Sequence, residues 1–188
     1  MNLEELRARK GFICDMDGVI YLGNQLLPGV REFVNWLNKN GKQFLFLTNS
    51  SERSPKELRQ KLQRMGLDID EEHFYTSALA TAAFLKKQAP GCTAFVIGAP
   101  GLLNALYDVG VTMNDVDPDY VIVGETASYN YEVITKAVRL VLNGARLIAT
   151  NSDLTGPTAL RLPAGRSSRR SNWRRAGRPI SWASRTRL

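Results

Sequence analysis

Apolar residues run through "GFICDMDG" (11–18) into two aspartates and a glycine, the pattern of a buried strand that stops at a polar turn. Just downstream, "VREFVNWLNKNG" sets Val30, Phe33, Val34 and Leu37 at helical spacing, with Gly41 as the stop. "KQFLFLTNS" is apolar again and predicts a second strand. "SPKELRQKLQRMGL" then opens with Ser54 as N-cap, Pro55 at the first helical position and Glu57 at the third, and closes on Gly66. Strand, helix, strand, helix predicts a parallel α/β sheet.

The alternation continues with a helix over "TSALATAAFLKKQ", a strand in "CTAFVIGA" and a helix over "PGLLNALYDVG" closed by Gly110. A strand in "DYVIVGE", a long amphipathic helix in "NYEVITKAVRLVLNGA" and a strand in "RLIATNSD" complete it. From about Ala89 the βα theme repeats without an Asp-x-Asp pair. Residues 1–88 are therefore expected to form the first part of a core, and 89–157 a separate small α/β lobe. After Pro157 the periodicity disappears, and residues 158–188 are expected to be a disordered tail.

At 188 residues and 44% hydrophobic content the chain can bury one good core and a second small lobe. No stretch approaches the roughly 20 apolar residues of a membrane span, and "MNLEELRARKG" is polar rather than a secretory signal. A cytoplasmic protein with no membrane partner is the expectation. Cys14 and Cys92 lie far apart inside apolar runs, as buried free thiols do, and the single His73 reads as a surface or cap histidine.

The net charge of +7 changes meaning once it is divided along the chain. Residues 1–158 hold 16 Lys and Arg against 18 Asp and Glu, giving −2, while 159–188 hold nine Arg and no acid, giving +9. All the basicity sits in the tail. Trp173 and Trp182 among those arginines would suit a nucleic-acid-binding arm, but the arginines lack a periodic face, which disfavours a nucleic-acid partner.

In a parallel sheet, residues just past the carboxyl ends of strands face the ligand crevice. Asp15 ends the first strand there, Asp17 follows two residues later, and Gly18 permits a tight turn whose N–H could meet an anion. Thr48 and Asn49 end the next strand. Two carboxylates, a hydroxyl and turn N–H groups suit phosphoryl transfer, which needs a nucleophile, an acid/base and clamps for phosphate oxygens. Taken alone, the Asp-x-Asp also fits a metal-bound sugar-nucleotide site of a glycosyltransferase, or a solvated turn.

With both motifs in order, "FICDMDGVIYLGNQLLPGVREFVNWLNKNGKQFLFLTNSS" resembles the haloacid dehalogenase (HAD) superfamily of hydrolases, in its NagD-type, nitrophenylphosphatase-like branch. The resemblance extends through "FYTSALATAAFL", "DYVIVGE" and "YNYEVITKAVRLVLNGARLIATNSD" to about Pro157. It implies a Rossmann-like parallel-sheet core with an inserted α/β cap, and a phosphatase acting on a small phosphorylated metabolite such as a nucleotide or sugar phosphate. It implies that Asp15 attacks phosphorus to form an aspartyl-phosphate and that Asp17 is the acid/base. Mg²⁺ would bind the Asp15 carboxylate and the Asp17 carbonyl, with Thr48, Asn49 and the Gly18 N–H on phosphoryl oxygens. Asn151 and Asp153 would face the substrate from the cap, although a capped turn explains them equally well. The cap would also offer a surface for homo-oligomer formation.

The resemblance further requires a third motif with Lys in a Gly-Lys-Pro setting and a fourth with acidic metal ligands. After Asp153 this chain has no Lys, Asp or Glu. Little or no phosphatase activity is therefore expected of it, along with an uncovered apolar edge on the first sheet. "ISWASRTR" (180–187) can be encoded so that a shift of one base yields Tyr-Phe-Val-Gly-Lys-Pro-Asn-Pro, a strand ending in the missing lysine motif. Residues from about Thr158 onward are thus expected to be an out-of-frame translation. Sequencing the coding DNA checks this: the alternative frame should encode the Gly-Lys-Pro strand and a later acidic motif, and their absence removes the idea.

Overall fold

A computed structural model describes residues 2–151 and the backbone of residues 180 and 181. Asp153 and the rest of the tail lie outside the described residues. The chain divides into two compact units, one of residues 1–48 and 55–75, the other of 49–54 and 76 onward. That division falls before the 88/89 boundary expected from sequence, because helix 77–88 buries Ala78, Ala82 and Leu85 in the same cluster as Leu102 and Leu106 of the second unit.

In the first unit a short helix, α1 (Leu3–Arg7), leads into β1 (Gly11–Asp15). A small antiparallel hairpin follows, β2 (Tyr21–Leu22) with β3 (Gln25–Leu26), and then α2 (Val30–Lys39), β4 (Gln43–Thr48) and α3 (Pro55–Arg64). A 3₁₀ turn at Glu71–His73 enters β5 (Phe74–Thr76), giving a sheet in the order β1-β4-β5 with β1 and β4 parallel.

The helical spacing of α2 and α3 aims Val30, Val34, Leu37, Leu58 and Leu62 at Phe44, Phe46 and Phe74, forming the core of this unit. Burying side chains of this size contributes roughly 1.5–3 kcal/mol each. One sheet face is covered this way and the other is open: Ile13 is 74% exposed and Leu47 43%. β1 is thus half-exposed rather than the buried strand its apolar run predicts, since among the described residues it lies at the edge of its sheet with a single layer of helices.

His73 also departs from expectation. Its ring stacks on Phe44 at 3.9 Å between centroids, and Nδ1 sits 2.9 Å from the Phe44 carbonyl, so it packs against the strand instead of capping the surface.

The second unit is covered on both sides. Helix α4 (Ser77–Gln88), capped by Thr76 Oγ1 accepting the Leu79 N–H, precedes β6 (Thr93–Ile97), α5 (Pro100–Asp108), β7 (Thr112–Met113), β8 (Tyr120–Val123), α6 (Tyr131–Leu142) and β9 (Arg146–Ala149). The sheet runs β10-β9-β8-β6-β7, all parallel, with β10 (Ile180–Ser181) a two-residue strand where the tail pattern predicts none.

In β8, Tyr120 and Ile122 join the cluster of α4 and α5, while Val121 and Val123 join that of α6. An unbroken apolar strand is what a doubly covered parallel sheet demands.

Two substitutions check these cores by denaturant unfolding. Phe46→Ala should destabilise by about 3–5 kcal/mol, since the ring is fully buried between Phe44 and Phe74. Gly101→Ala should cost about 1–3 kcal/mol by overpacking, because its Cβ would lie 2.6 Å from the Arg53 carbonyl carbon and 2.7 Å from the Glu52 oxygen.

Candidate active site

The ladder between β1 and β4 pairs Gly11 with Gln43 and Asp15 with Leu47. Both strands therefore end at the same level: Asp15 is the last residue of β1, and Thr48, one position past Leu47, is the last of β4. Beyond Asp15 the burial alternates, with Asp15 exposed, Met16 fully buried and Asp17 exposed. A buried Met16 between them is what keeps both carboxylates on the solvent side of the strand end.

The turn that follows is tightly tied. The Met16 carbonyl accepts the N–H of Ile20 at 2.9 Å, and Asp15 Oδ1 accepts the N–H of Met16 at 2.8 Å. Gly18 has φ +80°, a conformation strained for any side chain, and its N–H donates to the Tyr21 carbonyl at 2.8 Å. The Gly18 N–H expected to face an anion is thus engaged in closing the turn, because Asp17 and Tyr21 form a β-bridge around it. Burial pushes the neighbouring Cys14 thiol up.

Among the described residues neither Asp15 nor Asp17 pairs with Lys or Arg, and no group of three or more His, Cys, Asp or Glu forms a metal cage. Two solvated carboxylates with no protein cation are hard oxygen donors that suit Mg²⁺, which keeps several waters and takes one or two carboxylates alongside substrate phosphate. The donors present fit such an ion without enclosing it.

Thr48 is buried at the end of β4, and Asn49, exposed, begins the segment 49–54 that belongs to the second unit. The Asn49 carbonyl accepts Ser77 Oγ at 2.8 Å. Ser51 is fully buried; its Oγ accepts the Glu125 N–H at 2.9 Å and the Thr150 hydroxyl at 3.1 Å. Ser50 Oγ donates to Glu125 Oε2 at 2.6 Å, and the Gly101 N–H reaches the Glu52 carbonyl at 3.3 Å.

Glu125 and Thr150 follow the carboxyl ends of β8 and β9, and Gly101 lies in the first turn of α5 after β6, so segment 49–54 fills the crevice where ligands of parallel sheets usually bind. Gly124 permits this approach, since a Cβ there would lie 2.8 Å from Ser51 Oγ. Tyr129, whose hydroxyl donates to the Gly124 carbonyl at 2.5 Å, has its phenol pushed up to about 12 by burial and by the Glu125 charge.

This network escaped sequence reasoning. Its signal was available in "TNSS", "VGE" and "ATN", polar residues at strand ends. Asn151, expected to face substrate, is buried in the second unit beside this network, and its expected companion Asp153 is outside the described residues.

Comparison with known proteins agrees with the strand-end motifs. A family model described as haloacid dehalogenase-like hydrolase matches residues 12–112. The chain is 44% identical over 147 residues to a dihydroxyacetone phosphatase of Corynebacterium glutamicum, covering 78% of this chain and 54% of that protein. It is likewise 44% identical to the ribonucleotide monophosphatase NagD of Escherichia coli, covering 78% and 58%.

The solved structure of NagD superposes with a TM-score of 0.84 at 39% identity, covering 92% of this chain and 68% of that one. A glycerol phosphate phosphatase of Mycobacterium tuberculosis in complex with magnesium gives 0.77 at 28% identity, covering 84% and 49%. The chain thus spans little more than half the length of the curated relatives it matches. Both strand-end motifs lie inside the matched stretch, and this chain belongs to the haloacid dehalogenase-like hydrolase family.

Proposed function

We propose that this chain carries the nucleophile and acid/base of a phosphomonoester hydrolase, Asp15 and Asp17. The observation behind the reading is their placement, exposed on either side of the buried Met16 at the end of β1, level with Thr48 on β4. An Asp15 carboxylate oxygen attacks phosphorus and forms an aspartyl-phosphate while the ester P–O bond breaks. Asp17 gives its proton to the departing alkoxide. In the second step the Asp17 carboxylate takes a proton from water, the water oxygen bonds to phosphorus, and the bond to Asp15 breaks to release orthophosphate.

Thr48 and Asn49 hold phosphoryl oxygens. Gly18 serves by its positive φ, shaping the turn that presents Asp17.

A phosphate dianion beside ionised Asp15 is opposed by about 4 kcal/mol per pair of unit charges at about 4 Å and an effective dielectric near 20. Mg²⁺ at the Asp15 carboxylate and Asp17 carbonyl would supply the positive charge that offsets this term. The chain itself offers no lysine after Asp153 to share that work, so its turnover as written is low or absent. Its relatives' names, a dihydroxyacetone phosphatase and a ribonucleotide monophosphatase, support a small phosphorylated metabolite as substrate. Two free cysteines suit the cytoplasm.

Hydrolysis of nitrophenyl phosphate with Mg²⁺, measured on this chain and on a version carrying the alternative tail frame, checks the reading. The frame-restored protein should turn over and this chain should not; equal rates would refute the argument from the missing lysine. In the restored protein Asp15→Asn should lower kcat by about a thousandfold or more. Asp17→Asn should release one equivalent of nitrophenol and stall as a hydroxylamine-sensitive phosphoenzyme. Full turnover by Asp15→Asn would remove Asp15 as the nucleophile.

A further inference from the structure

Segment 49–54 is held more completely than a connecting loop requires, since four successive residues each bond to the frame of the second unit. The Asn49 carbonyl accepts Ser77 Oγ, Ser50 Oγ donates to the Glu125 carboxylate, Ser51 Oγ accepts the Glu125 N–H, and the Glu52 carbonyl accepts the Gly101 N–H. Ser50 Oγ also accepts the Glu52 N–H at 3.3 Å, which closes the segment on itself.

The Ser77 hydroxyl is not explained by the helix that carries it. A serine at the start of a helix commonly caps it, but in α4 that place is taken by Thr76 Oγ1, which accepts the Leu79 N–H. Ser77 is buried and its hydroxyl donates instead to a residue 28 positions earlier. Glu125 is fixed through its backbone: its N–H donates to Ser51, its carbonyl accepts the Ala99 N–H at 2.9 Å, and the preceding Gly124 N–H reaches the Ile97 carbonyl at 2.7 Å. Onto that fixed backbone the carboxylate adds a charge-assisted bond to Ser50 Oγ at 2.6 Å, stronger than one between neutral groups.

These two bonds act on one peptide. Ser77 holds its oxygen, at Asn49, and Glu125 holds the side chain of Ser50, the residue that supplies its nitrogen. A planar peptide held at both ends cannot turn over, so the backbone around Asn49 is set before any ligand arrives. Groups ordered in advance lose little on binding.

We propose that Ser77 and Glu125 are positioning residues for Asn49, holding it where it meets a phosphoryl oxygen. This rests on the reading of Asn49 as a phosphate clamp. Each acts through the peptide between Asn49 and Ser50, not by contact with substrate.

Titration of inorganic phosphate in the presence of Mg²⁺, followed by NMR on the protein with the restored tail frame, measures the clamp without turnover. Ser77→Ala and Glu125→Ala should each raise the phosphate dissociation constant about tenfold. Glu125→Gln, which keeps an acceptor oxygen for Ser50, should stay within about threefold of the parent. Ser50→Ala combined with Glu125→Ala should do no more than either alone. A merely structural loss would lower the fraction of protein that binds and leave the dissociation constant as it was. Amide exchange on the chain as it stands reads the segment directly: Ser77→Ala should speed exchange at Glu52 and Gly101 about tenfold and leave the amides of β8 unchanged.

An unchanged phosphate affinity in Ser77→Ala overturns the proposal, as does Glu125→Gln binding as weakly as Glu125→Ala. Exchange at Glu52 and Gly101 that stays the same, or that rises together with β8, also overturns it. A restored protein that shows this pattern of phosphate binding yet hydrolyses nothing overturns the hydrolase reading and leaves the positioning role standing. One that binds no phosphate overturns both.

Discussion

The parallel ladder from Gly11↔Gln43 to Asp15↔Leu47 is the constraint on which the first unit depends. It brings the ends of two strands to one level, so that Asp15 and Thr48 close neighbouring strands. It also assigns the faces: Phe44 and Phe46 turn to α2 and α3, while Ile13 and Leu47 turn away. A slip of one residue would reverse every side chain, sending aromatic rings to solvent and shifting the carboxylates from their place beside the end of β4. Burial of Phe46, Met16 and Leu37 thus secures the position of polar groups that contribute little to stability themselves.

The two sheets differ in how completely they are covered. β8 is apolar at each of its positions because α4 and α5 lie on one face and α6 on the other. β1 has a similar apolar run but, among the described residues, helices on one side only, which leaves Ile13 and Leu47 exposed on the second face. An apolar strand is thus no measure of its own burial. Position in the sheet decides whether the same residues make a core or an exposed surface.

Segment 49–54 shows how polar groups can be buried without penalty. Ser51, Thr150 and the Glu125 N–H satisfy one another, and Ser50 answers the Glu125 carboxylate. Buried polar atoms that find partners rigidify the loop, whereas an unmatched one would cost about 1–3 kcal/mol. Glycine is needed at 101 and 124 because backbone and hydroxyl approach there more closely than a Cβ allows.

Much of this was legible in order along the chain. Helix spacing in "VREFVNWL", the proline start of α3 and the glycine stops are local signals, and helices form where local spacing and caps agree. The pairing of an Asp-x-Asp-Gly strand end with a Thr-Asn strand end was legible for the same reason, since strand order alone places both at one sheet edge. The stacking of His73 on Phe44, the engagement of the Gly18 N–H by Tyr21, the burial of Asn151 and the division of the chain at residue 75 were not. Each depends on residues brought together across a long separation or around a turn, and periodicity carries no information about which partner a group meets. The sequence by itself determined the elements, their alternation and the pair of carboxylates that stands at the end of β1. Only tertiary structure decided which apolar faces were covered and which polar groups stayed exposed, because burial belongs to the packed sheet and not to the strand.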